Sequence, residues 1–243
     1  SYLVNPGLRS YDLEDISIRV LGFSPGQSSD SSGQLSFDSD SNLEALGLRA
    51  EAIYLISKKI STKLEQQNLD KLFFDLELPL AKLLSEMEDA GIAVDLKKLN
   101  SLQVEFENIA NKYEKDAYKL VGHDFNLASP KQLQTVLFEE RKLPKTKKTK
   151  TGFTTDANAL EELFASTKDP LLSLILKWRD ITKLKQVAAS LIPLVDKESR
   201  IHTTFNQTIT STGRLSSTEP NLQNIPIRTD QGKRIRDCFI NAK

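Results

Sequence analysis

Between Thr212 and Arg228 the chain reads T-G-R-L-S-S-T-E-P-N-L-Q-N-I-P-I-R. Arg214, Asn221, Gln223, Asn224 and Arg228 all bring hydrogen-bond donors, and Pro220 and Pro226 punctuate them. A proline has no backbone N–H and keeps the preceding residue out of helix, so the segment is expected as a stiff, extended loop from which the donors project. Donors of this kind match the acceptors of a DNA minor groove. Adenine N3 and thymine O2 look alike there, so a duplex is held with little regard to its sequence. A polar surface loop stiffened by proline has the same composition, and the residues by themselves leave both readings open.

Two groups of cations lie upstream. Arg141 to Lys150 (R-K-L-P-K-T-K-K-T-K) has six basic residues and no acid. It lacks an amphipathic period, so it is expected as a flexible tip whose Lys145, Lys147, Lys148 and Lys150 meet phosphates without choosing a sequence. The alternative is a solvated basic loop. Arg179, Lys183 and Lys185 fall at helical spacing, with Arg179 and Lys183 four apart on one face; plain solvation is the default for such a face. His202 has no cysteine or metal-spaced partner nearby, and both it and His123 read as structural or close to DNA.

The net charge of the 243 residues is zero, but its distribution is uneven. Residues 1–140 carry 14 Lys+Arg against 23 Asp+Glu, and residues 141–243 carry 19 against 10. A basic C-terminal part is an electrostatic footprint for a polyanion. The length suffices for one large or two modest domains. One cysteine, Cys238, excludes an internal disulfide framework and suits a reducing cytosol. No signal peptide or long apolar run is present, so no membrane segment is expected. The chain opens at Ser1-Tyr2-Leu3 and closes at Asn241-Ala242-Lys243, which reads as a piece of a longer protein.

The elements that must position these side chains are mostly helices. Apolar spacing predicts a short helix within Tyr11 to Leu21, a polar mobile loop over Gly22 to Asn42, and a helix from Leu43 to Leu64. Residues 1–70 read as the tail of an α/β domain whose sheet lies mostly upstream. Leu72 to Ala90 is expected as a helix ended by Gly91. Asp95 caps a long helix with apolar residues from Leu99 to Leu120, ended by Gly122. Ser129-Pro130-Lys131-Gln132 forms a capping box opening a helix to about Glu140, and Asp169-Pro170 opens another that passes Trp178 and ends near Leu191. Arg200 to Thr210 alternates like a strand, with Ile201, Phe205 and Ile209 on one side and His202, Thr204, Asn206 and Thr208 on the other. Cys238-Phe239-Ile240 is strand-like.

The Thr212–Arg228 stretch resembles the segment that opens the palm of family A DNA polymerases, the bacterial DNA polymerase I type. The likeness extends back through R-I-H-T-T-F-N-Q-T (Arg200 to Thr208) and forward through G-K-R-I-R-D-C-F-I (Gly232 to Ile240). It continues more weakly through G-H-D-F-N-L, S-P-K-Q-L-Q and W-R-D-I-T-K-L-K upstream. The resemblance implies an α+β, mostly helical fold in three parts. Residues 1–70 would be the C-terminal part of a degenerate 3′–5′ exonuclease-like (ribonuclease H-like) α/β domain. Residues 71–199 would be a helical thumb with long antiparallel helices, and residues 200–243 the first strands of the palm.

By the same matching, Arg179, Lys183 and Lys185 would grip the primer–template backbone. Arg214 would reach the minor groove near the primer end, with Asn221, Gln223, Asn224 and Arg228 holding template or primer nearby. Contacts from Asn206, Gln207 and Thr212 are implied as well. The complete polymerase would extend a primer with deoxynucleoside triphosphates and Mg²⁺, as a bacterial cytoplasmic monomer. Its metal-binding aspartates would follow Lys243 in a D-Y-S-Q-I-E-type motif, so no catalytic or metal residue is nominated between Ser1 and Lys243.

Proofreading relatives carry a Y-x-x-x-D motif shortly before the helix corresponding to Leu72–Ala90. This chain has Tyr54 followed four residues later by Lys58, with Ile53 close to where the metal-binding aspartate is expected, while the match at Tyr11 and Asp15 lies in the wrong part of the domain. The exonuclease-like part therefore reads as a scaffolding remnant. A stand-alone, non-catalytic DNA-binding module is the alternative reading, and an active 3′–5′ exonuclease a third.

Overall fold

The computed structural model describes residues 1–25, 39–149, 152–227 and 229–241. Lys150, Arg228 and most of the polar loop expected over Gly22 to Asn42 lie outside the described residues. The protein is mostly helical. In chain order the elements are α1 (Leu13–Leu21), α2 (Ser39–Gln66), a π-helical turn (Leu72–Glu77) running into α3 (Leu78–Ala90), β1 (Ile92–Val94) and α4 (Leu96–Val121). Next come α5 (Pro130–Gln134) with a second π-helical turn (Thr135–Glu140), β2 (Lys148–Thr149), β3 (Gly152–Phe153), α6 (Ala157–Thr167) and α7 (Pro170–Leu191). The C-terminal elements are β4 (Arg200–Ile201), β5 (Thr204–Asn206), β6 (Ser216–Thr218), α8 (Asp230–Arg236) and β7 (Phe239–Ile240).

Two compact units form. The first comprises Ser1–Ala90 and Thr203–Asn221, the second Gly91–His202 and Leu222–Lys243. Residues 71–90 thus pack with the N-terminal part of the chain, and Thr203–Asn221 leaves the C-terminal segment to join them.

The long helices of the second unit start and stop where local chemistry dictates. Asp95 accepts the Lys98 N–H at 2.9 Å, and Asp169 accepts that of Leu171 at 2.9 Å behind Pro170. Each carboxylate satisfies one of the orphan donors of a first helical turn. Gly122 ends α4 with φ 91°, a left-handed conformation in which a side chain would be strained. At Ser129 only half of the expected capping box forms. Its hydroxyl accepts the Gln132 N–H at 3.4 Å, but the Gln132 side chain turns away to accept the Asn126 N–H at 2.6 Å.

α4 and α7 run antiparallel. Leu99, Leu102, Phe106 and Ala110 from the first half of α4 share one core with Ile181, Leu184, Ala188 and Leu191 from the last half of α7. Ala117 near the end of α4 shares a second core with Leu171, Leu172 and Ile175 at the start of α7 and with residues of α5 and α6. Trp178 packs against both. Where the helix ends meet, Arg141 donates to Asp169 Oδ2 at 2.7 Å and to the Leu120 carbonyl at 3.3 Å. A short antiparallel sheet in the order β4-β1-β7 closes the first core, with Ile92 opposite Ile201 and Ala93 opposite Ile240. Gly91 precedes it at φ 59°; a β-carbon there would stand 2.8 Å from the His202 ring.

The first unit is less consolidated. α1 packs on α2, α2 begins at Ser39 rather than at Leu43, and the helix expected over Leu72–Ala90 starts with the π-helical turn. Pro79 follows that turn; it has no N–H to donate, and its ring crowds the carbonyl four residues back, which favours a widened turn. The strand expected over Arg200–Thr210 is broken. β4 pairs with β1 in the second unit, while β5 pairs with β6, Phe205 opposite Ser217, in the first. At the break, the buried Thr203 donates its hydroxyl to the carbonyls of Thr218 (3.0 Å) and Pro220 (2.7 Å). Ile209, expected on the apolar side, is 63 % exposed.

Candidate nucleic-acid interface

Part of the basic run, expected as a flexible tip, pairs with the residues that follow it as a short ribbon. β2 pairs antiparallel with β3, Lys148 opposite Phe153, and Thr146 donates its hydroxyl to the Thr154 carbonyl at 2.6 Å. The ribbon passes so close to α5 that a β-carbon on Gly152 would stand 2.1 Å from Gln134 Oε1. The Lys145 ammonium lies 5.1 Å from the centre of the Phe153 ring, whose edge meets Phe138. That contact holds part of the lysine's charge on an aromatic face. Lys147 and Lys148 are exposed.

Arg179 sits beside the base of this ribbon. Its guanidinium donates to the Thr155 carbonyl, and it lines a cleft of about 480 Å³ with Gln134, Phe153, Thr154 and Asp156. Burial pushes the Arg179 pKa down, with Asp156 acting against that shift. Asp156 itself caps α6 through the Ala159 N–H at 2.8 Å; that bond, with the Thr154 hydroxyl, holds its carboxyl below the usual range. Lys183, four residues on from Arg179, is exposed. Lys185 points elsewhere, pairing with Glu107 of α4 at 3.3 Å.

The donors of Thr212–Arg228 divide between the two units. In the first, Thr212 and Arg214 are exposed in the turn that connects β5 to β6, with Gly213 at φ 73°. Thr210 donates its hydroxyl to the Arg214 carbonyl at 2.6 Å, so the turn is ordered while the guanidinium is presented to solvent. Asn221 Oδ1 accepts the Ser217 hydroxyl at 3.5 Å. Asn206 and Gln207 spend donors within the unit: Asn206 on the Thr218 hydroxyl at 3.0 Å, Gln207 on the Glu77 carboxylate at 2.9 Å. In the second unit Gln223 and Asn224 are exposed on a single 3₁₀ turn (Leu222–Asn224), anchored by Leu222 and Ile225 against the α4–α7 core. The stretch is therefore a strand, a turn and a 3₁₀ turn, not one extended loop.

Nothing in the local sequence singled out Glu77 and Glu88, which hold Gln207 and the Phe205 N–H. Both histidines have carboxylate partners: His123 with Glu140 at 2.9 Å, His202 with Asp196 at 3.1 Å. Lys58 places its ammonium 4.5 Å over the Tyr54 ring, and Tyr11 donates its hydroxyl to the Asn5 carbonyl. Among the described residues no three His, Cys, Asp or Glu side chains form a group able to hold a metal ion, and no helix is long and apolar enough to cross a membrane.

Residues 96–243 match the model of DNA polymerase family A, and the chain belongs to that family. It is 48% identical to DNA polymerase I of Mycobacterium tuberculosis over 245 residues, which covers 99% of this chain and 27% of that protein. It is 38% identical to DNA polymerase I of Bacillus subtilis over 250 residues, 100% of this chain and 28% of the relative. The chain thus spans about a quarter of the length of these relatives. Among solved structures it is similar to the POL domain of Pol1 from M. smegmatis in complex with DNA primer-template and dNTP. That likeness has a TM-score of 0.85 and 47% identity, and it covers 100% of this chain and 40% of the other.

Proposed function

We propose that this chain is the part of a template-directed DNA polymerase that grips primer–template DNA, in DNA replication and repair. The observation that carries the reading is its similarity, over the whole chain, to a polymerase domain solved with primer-template and dNTP. In this reading residues 71–199 act as a thumb and residues 200–243 open the palm, and residues 1–70 are the end of an exonuclease-like domain without nuclease activity. The complete enzyme is a DNA-directed nucleotidyltransferase that uses deoxynucleoside triphosphates and Mg²⁺ held by carboxylates outside this chain, and it works as a cytoplasmic monomer.

The exposed cations divide the work. Lys145, Lys147, Lys148 and Lys150 of the basic run and Arg179 and Lys183 on α7 meet phosphates, which gives affinity without sequence choice. Arg179 has donors left after its bond to Thr155, since a guanidinium carries five N–H groups. Lys185, Asn206 and Gln207 serve DNA through the elements they hold. Arg214 reaches the minor groove near the primer end in this reading, and Thr212, Asn221, Gln223, Asn224 and Arg228 hold template or primer.

Arg214 tests the reading. In the complete polymerase, Arg214→Ala should slow primer extension by roughly ten- to a hundredfold, the loss of one charge-assisted hydrogen bond of about 1.5–3 kcal/mol. The loss should be worst after a mismatched primer terminus, which displaces the groove acceptors. Arg214→Lys should not restore it, because an ammonium lacks the planar fork. Normal extension by the alanine variant, or a defect confined to duplex affinity and erased at low salt, would reduce Arg214 to a backbone contact.

A further inference from the structure

The turn that presents Arg214 is tied to a residue far from it in sequence. Thr210, whose hydroxyl fixes the Arg214 carbonyl, has its own carbonyl bonded by the Tyr2 hydroxyl at 2.5 Å. Tyr2 is only 8 % exposed, and its ring meets the Tyr11 ring edge-on at 5.6 Å between centres. The ring is thus a packed element, whereas the hydroxyl is aimed at the turn. The start of the same stretch is fixed from α3 and the π-helical turn before it: Glu88 accepts the Phe205 N–H at 2.5 Å, and Glu77 takes the Gln207 side-chain amide. Glu77 and Glu88 stand about three helical turns apart and so share a face. The backbone before Arg214 is therefore held at both ends by side chains of the first unit, none of which is itself a candidate for touching DNA.

A packed phenol needs a partner for its hydroxyl, but phenylalanine would fill the same space without one. Ordering the turn matters because an exposed arginine loses rotamer entropy when it engages a ligand, and a fixed backbone limits what remains to be lost. We propose that Tyr2 is a positioning residue for Arg214, acting through Thr210 so that the guanidinium meets the primer end in one orientation. The inference rests on the reading of Arg214 as a minor-groove donor. It gives the N-terminal part of the chain a task in primer extension despite its departure from the proofreading motif.

The test is a double-mutant cycle in the complete polymerase, with kcat and KM measured on matched and mismatched primer ends. Tyr2→Phe should lower kcat about three- to tenfold, the effect of one hydrogen bond, and leave duplex affinity unchanged. Added to Arg214→Ala it should cause no further loss, because the group it positions is gone. Thr210→Val removes the other hydroxyl of the relay and should give the same pattern. If Arg214→Ala is defective while Tyr2→Phe and Thr210→Val extend primers normally, the positioning role is wrong and the reading of Arg214 stands. An equal loss from Tyr2→Phe in the presence and absence of Arg214 would make the tyrosine a general structural element and also overturn the proposal. A normal Arg214→Ala enzyme would remove the reading of Arg214 and the relay with it.

Discussion

The second unit buries two continuous apolar cores, whereas the first buries Tyr2, Ala52, Ile56, Leu64 and Leu84 among its described hydrophobic residues and leaves Ile53, Phe74 and Leu83 more than half exposed. The first unit relies instead on side chains bonded to backbone outside their own helix. Besides Tyr2 and Glu88, the buried Ser17 donates to the Phe23 carbonyl at 2.7 Å and Lys59 to the Val20 carbonyl at 3.0 Å. A core residue contributes several kcal/mol, and a hydrogen bond about 1 kcal/mol net. Stability should therefore be concentrated in the α4–α7 body, while the first unit supplies orientation at lower local stability.

The comparison predicts a large asymmetry in core substitutions. Phe106, fully buried between α4 and α7, should cost about 3–5 kcal/mol when cut to alanine. Ile53→Ala in the first unit, at a side chain 55 % exposed, should stay within about 0.5 kcal/mol. Urea denaturation of both variants checks this; similar losses would mean that Ile53 is covered and the first unit better packed than described.

Helix caps give a smaller contrast. Asp95→Ala removes a formed cap from α4 and should cost about 1 kcal/mol. Asp12 stands at the same position of α1 but makes no capping bond, since its carboxylate accepts from the Ser10 hydroxyl instead, so Asp12→Ala should cost less than half as much. Thermal unfolding of the two variants in parallel decides the order.

The smallest effect is in pH dependence. Its bond to the Asp124 carbonyl, and then Glu140, raise the pKa of His123 above the ordinary 6.5. A raised folded pKa contributes stability that is fully present below the unfolded value and disappears as pH rises through the folded one. His123→Gln should flatten stability against pH in that window, above about 6.5. An unchanged profile would show that the pair contributes nothing in solution, as many exposed ion pairs do.

What could be read in the sequence was what the chain settles locally. Asp95, Gly122, Asp169 and Pro170 mark the ends of α4 and α7 because capping depends on neighbours within a turn. The same logic failed where the deciding partner is remote. The alternation of Arg200–Thr210 continues through Thr203, yet its two halves join different sheets: β4 pairs with β1, over a hundred residues away, and β5 with the following strand β6. The basic run gave its charge but not its form; the Thr-Gly-Phe that follows Lys150 was a signal for the returning strand. For the candidate site, composition distinguishes a lysine from a glutamate, not an exposed lysine from one paired across helices. Lys185 with Glu107, and Gln207 with Glu77, became visible only once the helices were placed.

The central claim, that this chain holds primer–template DNA through contacts indifferent to sequence, is tested by the equilibrium binding of the 243-residue chain to two primer–template duplexes of unrelated sequence. Salt should be varied over about 50 to 200 mM. Equal affinity for both is predicted, with log K falling linearly against log salt, and replacing Lys147 and Lys148 by alanine should make that slope shallower by about one unit per lost contact. No binding at low salt, or a preference for one duplex that salt leaves unchanged, would contradict it.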